Sequence, residues 1–194
     1  MISWKRYFAE LVGTAALFCT VIGSGIMAEQ LAGGNTAIAL LANTLATVFA
    51  LYVLIETIGP ISGAHFNPLV TLVELVYRRI SIEMAFLYIL AQLIGTSAGV
   101  ILANVMFNRP AVQMSTYTRS GNYLLIAEVV ATAGLIATIF IAKNQGRGEN
   151  AFWLVPLWIG GAYIFTSSTS FANPAITLGR SLTDSFAGIA IASV

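Results

Sequence analysis

Charge is scarce in this 194-residue chain: 9 Lys and Arg and 8 Asp and Glu make up only 9% of it. A soluble domain carries roughly a quarter charged residues, so a water-covered globular surface is excluded. The net charge is +1 and no basic run occurs, which argues against nucleic acid as a partner. There is one histidine, His65, and one cysteine, Cys19. A metal site built on His ligands, an internal disulfide and a redox pair are therefore not expected. No nucleophile–base pair is evident, so the chain does not read as an enzyme. What is abundant is apolar: 58% of residues, with a mean hydropathy of +0.86. The composition is that of an integral membrane protein, one domain over residues 1–194. Lys5 and Arg6 precede an apolar run that reads as a retained first span rather than a cleaved signal.

A crossing helix needs about 20 mostly apolar residues. Five stretches qualify, at about 7–27, 36–58, 82–106, 123–143 and 151–170. Two shorter helical segments lie between and after them, at about 67–77 and 173–183. Each covers only half the hydrocarbon core, so each reads as a re-entrant half-helix. Irregular backbone at that depth is tolerated only where it is buried in protein or lines a wet cavity. Gly59, Pro60, Ser62 and Gly63 before the first, and Thr166 to Ser170 before the second, suit such backbone.

Both half-helices open on the same phrase. One is His65-Phe66-Asn67-Pro68-Leu69-Val70-Thr71-Leu72, the other Phe171-Ala172-Asn173-Pro174-Ala175-Ile176-Thr177-Leu178. Pro fits the first helical turn, where its missing N–H costs nothing. Asn is a strong N-cap whose amide can also donate outward. Two such starts facing each other would aim two positive dipole ends at one point, passing neutral solutes and repelling cations.

The repeat extends further. Ala9–Thr20 aligned with Ala127–Thr138 gives seven identities in twelve positions, among them Glu10 with Glu128 and Thr14 with Thr132. Repeat one covers about 1–106 and repeat two about 123–194. An odd number of spans per unit inverts the two copies in the membrane, a recurrent plan for solute passage. With the N-terminus in the cytoplasm, Lys5, Arg6, Arg78, Arg79, Lys143 and Arg147 lie inside, and Arg109, Arg119 and Arg180 outside. That agrees with the positive-inside bias. Two units of three spans require a sixth crossing, which is missing: Ser185–Val194 read as the start of a span cut short.

Ser62-Gly63-Ala64-His65-Phe66-Asn67-Pro68 and Ser170-Phe171-Ala172-Asn173-Pro174-Ala175 resemble the two signature loops of the aquaporins, the major intrinsic proteins. The likeness runs from Glu10 to Gly188. It implies an all-α, inverted-repeat channel in the cell membrane, a homotetramer with one pore per subunit, and no cofactor. It also implies that Asn67 and Asn173 donate hydrogen bonds to permeants at the pore centre, with Pro68 and Pro174 opening the half-helices. The chain departs from the family in having Leu69 where alanine is usual, and Ile176 where an arginine usually lines the constriction. The Leu69 side chain is expected to push the half-helices slightly apart. By the family's usual offsets the constriction is Thr47, Gly161, Ser170 and Ile176: wide, with two hydroxyls, no charge and no aromatic wall. Such a ring suits water and glycerol-sized polyols. The run Asn173–Asp184 is similar to bacterial members associated with arsenic resistance, which adds arsenite or antimonite as solutes.

The remaining residues carry structural readings beside functional ones. Glu10 and Glu128 are ionisable groups within spans, functional by default. Here they are expected to accept loop N–H groups that lack partners. His65 reads as a neutral imidazole bonded to loop backbone, with a pH-sensitive gate as the alternative. Arg180 either snorkels to the outer interface or stands in for the missing arginine one turn further out. Glu56 and Glu74 are expected to face water. Gly95 and Gly99 read as a close-packing pair, and Trp4, Trp153 and Trp158 include interface anchors. Two other functions stay open: a truncated, non-conducting subunit, and a coupled secondary transporter, which would need a carboxylate at midplane.

Overall fold

Helices follow the apolar runs, and their ends follow the capping residues. The computed structural model describes residues 4–193. Helix α1 spans Trp4–Leu31 and turns back through Gly33 and Gly34, both at positive φ. Helix α2, Thr36–Ser62, starts where Asn35 accepts from the N–H groups of Ala37 and Ile38, and stops at Gly63, φ 93°. Half-helix α3 is Pro68–Val76. Helix α4, Ile82–Met106, is capped by Ser81, which accepts from Met84 N at 3.2 Å. Helix α5 is Asn122–Asn144, α6 is Ala151–Phe165 and half-helix α7 is Pro174–Gly179.

Among the described residues four helices, α1, α2, α4 and α5, are long and apolar enough to cross a membrane. The fifth expected span differs. Helix α6 has 15 residues, preceded by a 3-10 turn at Gly148–Asn150 and followed by extended chain from Thr166. At about 1.5 Å per residue it falls short of the hydrocarbon thickness. Half-helix α7 is likewise shorter than 173–183, because the chain tightens into a 3-10 turn at Arg180–Leu182. Residues 185–193 do not begin a span. Their backbone pairs sideways instead of up a helix: Ile189 N donates to Arg180 O at 3.2 Å and Ala190 N to Tyr117 O at 2.7 Å. Only Ile191–Ser193 forms a 3-10 turn.

The helices pack where side chains are small. A Cβ on Gly95 would meet Leu11 O, and one on Gly99 would meet Ala15 O, so α4 lies directly on the backbone of α1. Gly134 of α5 receives the Trp158 ring, whose Nε1 donates to Ala131 O at 2.9 Å. Trp158 thus joins α5 to α6 rather than anchoring at an interface. Gly179 of α7 rests on Thr96 of α4. This close packing brings both half-helices to the middle of the molecule. There α3 runs back toward the face where α1 begins, and α7 toward the opposite face.

Candidate functional site

The two half-helices are clasped through their caps. Asn67 Oδ1 accepts from Leu69 N at 2.9 Å, and its Nδ2 donates across to Ala172 O at 2.7 Å. Asn173 repeats the pattern: Oδ1 accepts from Ala175 N at 3.0 Å and Nδ2 donates to Phe66 O at 2.8 Å. The two residues, far apart in sequence, share one cavity wall. The short reciprocal bonds show that Leu69 does not part the caps. Each Nδ2 carries two hydrogens and spends one in the clasp, which leaves one for a ligand.

The loops leading into the caps are strained and lean on carboxylates. Ala64, Phe66, Thr169, Ser170 and Ala172 all have positive φ, a conformation costly for residues with a Cβ. In the first loop, Glu10 Oε1 accepts from Ser62 Oγ at 2.7 Å and His65 N at 2.9 Å. Its Oε2 accepts from Phe66 N at 2.8 Å and Gln92 Nε2 at 2.9 Å. In the second, Glu128 accepts from Phe171 N at 2.9 Å and Ala172 N at 2.7 Å. Both carboxylates are thereby committed to holding backbone. His65 Nδ1 pairs with Thr71 Oγ1 at 3.0 Å, a side chain rather than the expected loop backbone. Its ring meets Tyr88 edge-on, with centroids 5.1 Å apart.

A cavity of about 120 Å³ runs past this clasp. Thr47, Ser170 and Ile176 line it, as expected from their offsets. Thr47 Oγ1 is bonded to Asn43 O at 2.9 Å, whereas Ser170 Oγ, in a residue 2% exposed, has no hydrogen-bond partner among the described residues. Gly161 does not line the cavity. It is exposed, and a Cβ there would meet nothing within 4 Å. The α6 residues on the wall are Ala151, Val155, Ile159 and Tyr163, spaced by four along one helix face. The offset from Asn173 misses them because residues 166–172 are not helical, so helical register is lost on the way. Gly161→Phe is accordingly expected to leave glycerol flux within about two-fold of wild type, as surface substitutions do. A selective loss of glycerol over water flux in liposomes would return Gly161 to the wall.

Arg180 lies at the far end of the cavity and does not snorkel to an interface. It is 3% exposed, its Nε donates to Ala187 O, and its guanidinium sits 3.9 Å from the Phe171 ring centroid. Tyr163, Phe171 and Arg180 line the cavity together, so its wall has the aromatic and cationic groups that the sequence offsets omit. Tyr163 could have been found only through an α6 register that the intervening loop hides, whereas Phe171 stands in the second motif itself, two residues before Asn173. Arg119 approaches the same Phe171 ring at 5.7 Å. Burial lowers its pKa from the ordinary value, partly offset by Tyr117. At the other end of the cavity stand His65, Lys143 and Ala151.

Residues 1–188 match the family described as Major intrinsic protein. The chain is 47% identical over 185 residues to "Aquaglyceroporin AqpS" of Rhizobium meliloti (strain 1021), covering 95% of this chain and 78% of that one. It is 30% identical over 189 residues to "Aquaporin TIP1-1" of Zea mays, covering 92% and 75%. Among solved structures, the aquaglyceroporin from Plasmodium falciparum superposes with a TM-score of 0.67 at 19% identity, covering 92% of this chain and 77% of that one. That last likeness speaks for the fold alone.

Proposed function

This chain belongs to the major intrinsic protein family, and from that premise we propose that it is a passive channel for water and small neutral polyols of glycerol size. The clasp of Asn67 and Asn173 on one cavity wall carries the reading. Two caps with one N–H each to spare, at two helix N-termini, suit a solute that exchanges hydrogen bonds and carries no charge. Pro68 and Pro174 start the half-helices so that these donors point inward. Ser170, Thr47 and Ile176 complete that stretch of wall. Arg180 closes the outer mouth, stacked on Phe171.

Uncharged arsenite and antimonite present hydroxyls as a polyol does, and we include them as solutes of the same path. In this reading the protein is a homotetramer of the cell membrane, with its N-terminus cytoplasmic, so Arg180 faces outward. A coupled transporter needs a carboxylate free to bind an ion. Glu10 and Glu128 are both occupied by loop N–H groups, which disfavours that alternative. Stopped-flow shrinkage of proteoliposomes in gradients of glycerol, arsenite and an impermeant osmolyte tests the proposal. Glycerol and arsenite flux well above empty liposomes is expected. Water flux without glycerol flux would rule out the polyol reading, and no flux of any kind would rule out the channel.

A further inference from the structure

The internal repeat places opposite charges at matching positions. Counting from Asn67 and Asn173, the seventh residue on is Glu74 in one unit and Arg180 in the other. Seven residues make about two helical turns, so each lies below its asparagine on the same side of its half-helix. Both are buried, at 4% and 3% exposure, although Glu74 was expected to face water. Arg180 stands on the cavity wall itself. Glu74 does not, and it sits at the C-terminal end of α3, where the helix dipole disfavours a negative charge. Two cations compensate it. Lys143 Nζ donates to Glu74 Oε1 at 2.7 Å, and Arg79 Nη1 donates to the same oxygen at 3.2 Å. Arg79 is turned aside, its guanidinium 4.7 Å from the Phe140 ring centroid. Lys143, from the end of α5 in the other repeat, is the cation that reaches the cavity wall.

We propose that Lys143 is a specificity-determining residue at the inner mouth: its ammonium, held in place by Glu74, repels cations there as Arg180 does at the outer mouth. Glu74 is the positioning residue. The inference rests on the channel reading above. It explains why a half-exposed lysine is tied to a buried carboxylate across the two repeats. The carboxylate does not itself present negative charge to the path; it fixes the lysine beside it.

The test uses the full chain in proteoliposomes, reading glycerol flux by light scattering and potassium leak with a fluorescent indicator under a potassium gradient. Lys143→Met is expected to raise potassium leak at least roughly three-fold while glycerol flux stays within about two-fold. Lys143→Arg, which keeps the charge, is expected to hold leak at the wild-type level. Lys143→Met alone leaves Glu74 with one partner, so the double variant Glu74→Gln/Lys143→Met provides the control. Its leak should stay raised, because what is lost is the ammonium and not the neutrality of a stray carboxylate. Wild-type leak in either Lys143→Met or the double variant, with glycerol flux intact, overturns the inference alone. A wild-type protein that passes no glycerol removes the channel reading, and this inference with it.

Discussion

Glu10→Gln is expected to leave little folded protein, the largest effect of any single change considered. The wild-type carboxylate is fully buried and accepts four hydrogen bonds, from Ser62 Oγ, His65 N, Phe66 N and Gln92 Nε2. An amide has one oxygen and one NH2. Whichever way it is turned, its NH2 faces a backbone N–H, of His65 or of Phe66, that loses its acceptor. Each buried donor left without an acceptor costs about 1–3 kcal/mol, against a total stability of about 5–15 kcal/mol. The loop it supports already holds Ala64 and Phe66 at φ 48° each, a strained backbone that needs those bonds. The unfolding temperature in detergent should fall by at least ~5 °C, with a matching loss of the monodisperse fraction. Glu128→Gln should cost about half as much, since Glu128 accepts two such bonds and is only partly buried. Equal and small shifts in both variants would show that the carboxylates do not hold the loops.

The second large effect is on passage rather than on folding. Asn67→Asp keeps an oxygen to cap Leu69 N, so α3 still starts where it does. A carboxylate donates nothing, so Ala172 O loses its partner and the permeant loses its donor. It also sets a negative charge at the crossing of two helix N-termini, where it is attracted to the dipoles and held against them. Glycerol flux should fall at least about ten-fold, the equivalent of one lost interaction of about 1.4 kcal/mol. Stopped-flow rates normalised to folded protein check this. Flux within two-fold of wild type would mean that the asparagine amide does not serve the solute.

Much of this was legible before any coordinates. The shortage of charge and the long apolar runs determined a membrane protein, because a helix in lipid must be apolar over about 20 residues. The doubled Asn-Pro phrase and the aligned Glu10 and Glu128 determined two half-helices supported from below, since caps and loop acceptors act through neighbours that short motifs specify. Counting reached the cavity wall at Thr47, Ser170 and Ile176. Tertiary structure decided the rest. Counting failed at Gly161, because residues 166–172 are irregular and break the register between α6 and Asn173. It failed at α6, which ends after 15 residues where the expected span ran on to 170. Glu74 beside Lys143, and Arg180 over Phe171, could not be read from a linear chain at all. The first pair forms only when α3 and α5, distant in sequence, meet, and the second only when the loop before α7 folds back over its end, so which charge meets which is a property of that packing. Local pattern determines which segments enter the membrane; the meeting of distant segments determines which of their charges line the path.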